Sequence, residues 1–229
     1  MAAKTQLPKD DSLSKVSKRY ADLYRQTTGP LANLYTREAR DWLRKRITKD
    51  QYSFQRLKSD FKKTKSKSMP IIGRMYSFAY TDPVHKETLP YYDAFPLVFF
   101  FNSTKKDGNH YLHGLNLHHL EPKRRALLFD ILLDIRNEKR YRDNIKLRLT
   151  YDVLKGLTQH QLYAPCVKTY RVDRIDTELI EIPSQDWQFV LFLPTYKFFT
   201  NGEAISSKKA WGMANKSSQG STKPRKYRG

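Results

Sequence analysis

The period of the apolar residues changes after residue 69, and this change constrains the fold more than any other feature of the sequence. Between residues 13 and 61 apolar side chains recur every three or four positions, which is typical of amphipathic helices. Between residues 72 and 80 the aromatic side chains of Tyr76, Phe78 and Tyr80 alternate with smaller ones, which is typical of a strand. The sequence therefore predicts an α+β fold, in which N-terminal helices precede a small antiparallel sheet.

Gly29-Pro30 interrupts the helical pattern of the N-terminal part. We expect one helix before this pair, a second that continues to Ile47, and a third over residues 51–61. The second helix carries a group of cations on the face opposite its apolar stripe. These are Arg37, Arg40, Arg44, Lys45 and Arg46. Residues 62–68, KKTKSKS, have no apolar anchor and are interpreted as a basic linker or arm.

Three strands are predicted in the central part of the chain. The first covers residues 72–80, and the second, PLVFFF at 96–101, is apolar throughout and should be buried on both faces. Asp107-Gly108 provides a turn before the third strand at 110–118. Two shorter strands, LIEIP and FVLFLP, are expected between residues 179 and 194, and together these strands could close the sheet into a barrel.

Helices should cover this sheet. Pro122 can begin a helix because its missing N–H has no partner at the first helical position. That helix should run to Ile135 and pack on the sheet, with Arg125 off its apolar stripe, and a further helix is expected over residues 149–157. The predicted core consists of large apolar side chains from these elements: Phe99, Phe101, Leu115, Leu117, Leu128, Ile131 and Trp187.

The net charge of +20 lies mainly on the two flanks of the chain. Residues 1–70 carry 18 Lys and Arg against 7 Asp and Glu, residues 71–202 carry 18 against 15, and residues 203–229 carry 7 against 1. We therefore predict a basic helical extension and linker (1–69), an α+β core domain (70–202) and a flexible, disordered basic tail (203–229). Deletion of this tail should leave the melting temperature nearly unchanged.

Basic flanks are either solubilising extensions or a surface for a polyanion, of which nucleic acid is the commonest. No apolar run approaches the roughly 18 residues of a membrane span, and we expect no membrane partner. The single cysteine, Cys166, excludes a disulfide framework and is typical of a protein kept in a reducing cytoplasm.

Four of the six histidines lie in one stretch, HYLHGLNLHHLEPKRR at residues 110–125. On a strand, His110 and His118 would lie on one face and His113 and His119 on the other, so the four cannot bind one ion without a bulge. The segment HHLEP is similar to the first motif of the His-Asn-His nucleases, but the second strand, asparagine loop and ligand histidine of that family do not follow. We therefore interpret the histidines as structural and predict no metal.

Other catalytic templates are incomplete. Asp60-Phe61-Lys62 ends a nuclease-like signature that has no acidic partner upstream, and there is no GxxxxGK[ST] phosphate loop. We predict a protein that is not an enzyme and has neither a cofactor nor a small-molecule ligand.

Five stretches of the sequence resemble consecutive blocks of one family from T-even-type, contractile-tailed bacteriophages. They are PIIGRMYSFAYTDP, LPYYDAFPLVFFF, HGLNLHHLEPKRRALLFD, YAPCVKTY and IPSQDWQFVLFLPTYKF, and they span about residues 70–211. The family is the DNA end protector, or head-completion, family. The resemblance implies a minor virion protein that binds the ends of packaged DNA near the portal and shields them from exonuclease, and it carries over no catalytic residues.

The predicted partners are therefore duplex DNA, bound through its phosphates without sequence preference, and other virion proteins of the portal and neck or of the baseplate. The expected location is the virion, and the host cytoplasm during assembly. An adaptor of the neck, tail or baseplate and a phage nuclease remain as alternatives. The predicted DNA-binding residues are all basic and lie on the flanks: Arg44, Lys45, Arg46, Lys62, Lys63, Lys65, Lys67, Lys208, Lys209, Lys223, Arg225 and Lys226.

Overall fold

The structure is a computed structural model that describes residues 19, 22–23, 32–47, 51–63, 70–157, 163–192 and 197–220. Within these residues the chain alternates helices with short strands. The helices are α1 (Ala32–Ile47), α2 (Phe54–Lys63), α3 (Pro83–Thr88), α4 (Pro122–Asn137), α5 (Asp143–Leu157), α6 (Trp187–Phe192) and α7 (Ser207–Gly220). Short 3-10 turns occur at Leu117–His119, Ala164–Cys166, Val172–Arg174 and Ser184–Asp186.

The strands form two antiparallel sheets. They are β1 (Gln51–Tyr52), β2 (Met75–Ser77), β3 (Tyr92–Asp93), β4 (Leu97–Lys106), β5 (Asn109–Asn116), β6 (Val167–Arg171), β7 (Leu179–Glu181), β8 (Phe198–Thr200) and β9 (Glu203–Ile205). The larger sheet has the order β1-β7-β2-β4-β5-β6 and the smaller one β3-β8-β9. The predicted α+β class is confirmed, and the three predicted central strands are neighbours in one sheet. The sheet is open, so the expected closure into a barrel is wrong.

The hairpin of β4 and β5 is the longest feature of the large sheet. Asp107 and Gly108 connect its strands with φ angles of 50° and 77°, the positive values that a tight two-residue hairpin turn requires. The register shifts between Phe100 and Asn102, so the bulge lies on β4. Gly114 lies on the facing strand, where a Cβ would be only 2.6 Å from the Phe99 carbonyl oxygen. The hairpin therefore needs glycine at this position for close backbone approach.

Alternate residues of β4 enter two separate apolar clusters, one on each face of the sheet. Leu97, Phe99 and Phe101 pack on α4, α5 and α6, whereas Val98 and Phe100 pack on the other face. This second cluster also contains residues of α2 and of β6 and β7, such as Leu57, Tyr170 and Leu179. The prediction that strand 96–101 is buried on both faces is confirmed.

Helix α4 covers the sheet as predicted, but its buried face is rotated from the predicted stripe. Leu128, Phe129 and Leu132 are buried, while Ile131 is only half-buried, so its place in the predicted core was wrong. Arg125, expected off the stripe, is completely buried. The other predicted core residues are all buried.

The apolar run FVLFLP was wrongly predicted to be a strand. Residues 187–192 form α6, and the buried residues Trp187, Val190 and Leu191 recur at helical spacing. Trp187 stacks on Phe129 at 5.0 Å between ring centroids, so the helix presents one face to α4. A short apolar run has no alternation that distinguishes a strand from a buried helix, which explains the error.

The C-terminal region was wrongly predicted to be disordered from residue 203 onward. Residues 203–205 form β9 and pair with β8, and residues 207–220 form α7. Ala210 of α7 is buried against Tyr91 and Phe198. Residues 221–229 lie outside the described part of the chain. The division into three parts at residues 69 and 202 remains a prediction. Strand β1, which lies in the predicted N-terminal extension, pairs with β7 of the large sheet.

No helix in the described part of the chain is both long enough and apolar enough to cross a membrane.

Candidate nucleic-acid interface

Helix α1 has one face fixed to the body of the protein and one face of exposed arginines. Ala39 is completely buried, and Trp42 stacks on Phe189 of α6 at 5.5 Å between ring centroids. Arg37 and Arg40, on the opposite side, are exposed. This arrangement follows from the helical repeat, because residues three, four and seven apart share a face.

A shallow groove, here called the arginine groove, runs along that face. It is lined by Thr36, Arg37, Arg40, Asp41 and Arg44. Asp41 accepts a hydrogen bond from Nη1 of Arg44 at 3.0 Å, and both side chains are at least half exposed. A solvent-exposed pair of this kind contributes at most about 1 kcal/mol. The groove therefore has three guanidinium groups and one carboxylate, and it keeps a net positive charge.

The three cations predicted at the end of α1 have different surroundings. Arg44 lines the arginine groove, and Lys45 is exposed. Arg46 is half-buried on the other side of the helix and donates from Nε to the backbone carbonyl of Glu181 in β7 at 3.3 Å. Basic residues in the last turn also stabilise a helix through its dipole. Arg46 thus joins α1 to the large sheet.

Lys62 and Lys63 are exposed in the last turn of α2. The neighbouring Phe61 ring contacts the His110 ring, with 4.4 Å between ring centroids. This contact places the end of α2 against the start of β5. Lys105, the register partner of His110, is exposed. Lys62, Lys63, Lys105 and Lys106 are together called the hairpin patch. Lys65 and Lys67 lie outside the described residues.

Sequence reasoning did not select Lys105 and Lys106, because it assigned them to a loop. In the structure both belong to β4, which continues to the Asp107-Gly108 turn. The doubled lysine immediately before a two-residue hairpin turn was the available signal.

Lys208 and Lys209 are exposed in the first turn of α7. This turn contains no acidic residue, although the helix dipole favours negative charge at that end. The two lysines therefore oppose the helix dipole. Lys223, Arg225 and Lys226 lie outside the described residues.

Beneath these surfaces a buried network joins the two sheets through Asp93. Its Oδ2 accepts from Nδ1 of His118 at 2.8 Å and from Nδ2 of Asn116 at 3.0 Å. Its Oδ1 accepts from the backbone N–H groups of Phe95 and Lys197 at 3.1 and 3.4 Å. This carboxylate near the histidines was not foreseen from the sequence.

The His118–Asp93 pair has the contact of a catalytic base and the group that orients it. Only 1% of the His118 side chain and 2% of the Asp93 side chain are exposed. Burial lowers the pKa of His118, although the Asp93 charge opposes this shift. Cys166 is also buried, and burial raises the pKa of its thiol to about 12. Neither the His118 imidazole nor the Cys166 thiol is accessible or activated. The Asp93 network is therefore suited to holding the two sheets together.

His113 and His119 also contact neighbouring elements. Both ring nitrogens of His113 are within 2.9 Å of hydroxyl groups, those of Thr104 and Thr169 on the flanking strands. Nδ1 of His119 lies 3.2 Å from the Tyr91 hydroxyl. His118 and His119 belong to the 3-10 turn after β5, so the predicted division of the histidines between strand faces does not apply to them. Among the described residues, no three His, Cys, Asp or Glu side chains are grouped to hold a metal ion.

An α+β scaffold whose exposed cations cluster on helices and on a hairpin is typical of proteins that bind polyanions. Comparison with protein-family models matches residues 31–214 to the family described as the phage T4 terminal DNA protecting protein. The match covers 184 of the 229 residues, and the chain therefore belongs to this family of bacteriophage proteins. It extends the resemblance seen at residues 70–211 to include α1 and α2. No curated protein and no solved structure matches the chain.

Proposed function

We propose that this protein is a non-enzymatic virion protein that binds the ends of packaged duplex DNA and shields them from exonuclease. It acts at the head, near the portal, and completes the filled head. The family to which the chain belongs supports the end-protecting role. The exposed cations supply contacts to the DNA phosphates, which need no recognition of sequence.

The arginine groove is the observation that carries this proposal. Arg37, Arg40 and Arg44 share one exposed face, and the Trp42–Phe189 stack holds the other face on the body of the protein. The helix therefore presents guanidinium groups from a fixed support. Guanidinium groups match phosphate oxygens through paired hydrogen bonds, which lysine cannot provide.

The hairpin patch and the lysines of α7 add further cations. If about six to ten of these groups contact phosphates, the affinity falls about 10³- to 10⁵-fold between 50 and 200 mM salt. Binding would be tight at low salt, and its dependence on salt would report the number of contacts.

The experiment measures binding of the full chain to a short linear duplex by fluorescence anisotropy at several salt concentrations. The triple variant Arg37→Gln, Arg40→Gln, Arg44→Gln should make the negative slope of log K against log salt shallower by about three units. The matched control is Lys86→Gln, Lys123→Gln, Lys197→Gln, which removes three exposed charges elsewhere and should leave the slope nearly unchanged.

A parallel assay measures digestion of an end-labelled linear duplex by an exonuclease. Wild-type protein should delay digestion, and the groove variant should delay it less. DNA should remain intact with Mg²⁺ or Zn²⁺ in the absence of the exonuclease. Equal slopes and equal protection for the groove and control variants would contradict the proposal, and would favour an adaptor whose basic surfaces bind acidic virion subunits.

A further inference from the structure

The turn between α4 and α5 combines an exposed aromatic ring with exposed cations. It consists of Glu138, Lys139, Arg140, Tyr141 and Arg142, and is called the KRYR turn. Glu138 is half-buried and the four residues after it are exposed. The backbone N–H of Tyr141 donates to the Glu138 carbonyl at 3.4 Å and closes the turn.

Tyr141 differs from the other aromatic residues whose burial the structure describes, because its side chain is exposed. The sequence contains 30 aromatic residues, 15 of them tyrosines. Among the side chains that the structure describes, the exposed large apolar ones are Ile47, Val84 and Tyr141, and Tyr141 is the aromatic one, with 39% exposure. The other aromatic side chains whose burial the structure describes are buried or half-buried, so this ring is the most open to solvent among them. Such a ring is available to a partner.

The backbone of the turn is held in place by Glu138. Its carboxylate accepts from Nε and Nη2 of Arg140 at 2.9 and 2.6 Å, and from the Arg140 backbone N–H at 3.1 Å. Arg140 therefore neutralises Glu138. Among the ion pairs of the described side chains, none involves Lys139 or Arg142. These two cations lie on either side of Tyr141 in the sequence.

Cations alone do not distinguish the end of a duplex from its interior. Phosphates are spaced evenly along DNA, and contacts to them fix a protein on the duplex without specifying a position. Only the end exposes the flat face of a base pair. An exposed aromatic ring can stack on that face regardless of sequence, because every base has a π-face.

We infer that the KRYR turn is a stacking site for the terminal base pair of duplex DNA, with the Tyr141 ring on the base pair and Lys139 and Arg142 on the last phosphates. This inference rests on the proposed function and deepens it, because it assigns the recognition of the end to one residue. The arginine groove and the hairpin patch then supply affinity that is uniform along the duplex.

The test compares two duplexes of the same sequence, one with open blunt ends and one whose two ends are closed by hairpin loops. Wild-type protein should bind the open duplex more tightly, by about fivefold to a hundredfold, the range expected for one stacked aromatic. Tyr141→Ala should remove this preference and leave binding to the closed duplex unchanged. Tyr141→Phe and Tyr141→Trp should retain it, because both keep the ring.

Two controls separate stacking from charge and from folding. The double variant Lys139→Gln, Arg142→Gln keeps the Tyr141 ring. It should weaken binding and make the slope of log K against log salt shallower by about two units. All variants should melt at the wild-type temperature because the substituted side chains are exposed. A 2-aminopurine at the terminal position of the open duplex should change its fluorescence with wild type but not with Tyr141→Ala.

Equal binding of wild type to the open and closed duplexes would overturn the stacking site and leave the proposed DNA binding in place. Retention of the preference by Tyr141→Ala would also overturn it, since another residue would then recognise the end. Absence of binding to both duplexes at low salt would overturn the proposed function itself, and with it this inference.

Discussion

The indole N–H of Trp211 donates a hydrogen bond to the backbone carbonyl of His118 at 2.8 Å. This bond fastens α7 to the 3-10 turn between β5 and α4. Ala210, one residue earlier, is buried against Tyr91, which precedes β3, and against Phe198 of β8. The C-terminal helix is therefore part of the folded structure, and Lys208 and Lys209 have defined positions in its first turn.

Deletion of residues 203–229 should lower the free energy of unfolding by at least about 2 kcal/mol, because it removes β9, the Trp211 bond and the apolar cover of Tyr91. Urea unfolding followed by circular dichroism measures the change. Deletion of residues 221–229 alone is the control and should leave the midpoint unchanged. The sequence alone predicts the opposite, that deletion of residues 203–229 leaves the melting temperature nearly unchanged. That prediction would be correct if neither deletion changed the stability.

Replacement of Arg125 by methionine should destabilise the protein by roughly 3 to 5 kcal/mol, because three buried carbonyl oxygens lose a donor at about 1 to 3 kcal/mol each. Its guanidinium donates to the carbonyl oxygens of Leu117, Leu120 and Val190 at 3.2, 3.2 and 3.4 Å. Arg125→Lys should also be destabilising, because an ammonium group lacks the planar fork that reaches all three. Lys123→Gln is the exposed control. An Arg125→Lys variant with wild-type stability would show that charge alone is needed there.

The free energy of unfolding should decrease as the pH falls from 7 toward 5, and His119 should contribute to the decrease. Burial lowers the pKa of His119 well below its usual range. Below about pH 6.5 the His119 imidazole therefore binds a proton in the unfolded chain but not in the folded chain. This difference lowers the free energy of unfolding by up to about 1.4 kcal/mol for each pH unit. The contribution of neutral His119 to stability is fully present above about pH 6.5 and is lost as the pH falls toward the pKa of His119 in the folded protein.

His119→Phe should reduce this pH slope, measured by urea unfolding at pH 7.5, 6.5 and 5.5. Tyr91→Phe removes the same hydrogen bond but retains the titrating ring, so it should lower stability similarly at each pH and keep the wild-type slope. An identical slope in wild type and His119→Phe would mean that His119 takes up its proton in the folded protein.

Neutralisation of the four lysines of residues 62–67, by Lys62→Gln, Lys63→Gln, Lys65→Gln and Lys67→Gln, should make the slope of log K against log salt shallower by about three to four units. Sequence preference should not change, because phosphate contacts carry none. Anisotropy with two unrelated duplexes measures both quantities. A wild-type slope in the quadruple variant would show that these lysines do not contact phosphate.

Stability should not depend on a metal ion. The unfolding midpoint should be the same in EDTA and with added zinc for wild type, His113→Ala and His119→Ala, although each substitution lowers it by removal of a hydrogen bond. A wild-type protein that unfolds at lower urea in EDTA would overturn the structural interpretation of the histidines.

Several parts of the fold could be predicted because their signals are local. The Asp107-Gly108 turn requires positive φ angles, which aspartate and glycine tolerate, and Pro122 begins a helix because it needs no N–H partner there. The apolar run at 97–101 is long enough to require cover on both faces of its strand. The arginine face of α1 follows from the helical repeat, so this part of the candidate site was also visible in the sequence.

The remaining features depend on residues that are distant in the chain. The buried Arg125 binds the carbonyl of Val190 in α6 besides two nearby carbonyls, and α7 is fastened by the Trp211 bond to His118. Arg46 lies on the buried side of α1, seven residues after Ala39, and its partner there is the backbone carbonyl of Glu181 in β7. The sequence by itself determined the class of fold and the sign of the surface charge. Tertiary structure decided which cations and which aromatic ring face solvent, because burial depends on partners that only the folded chain brings together.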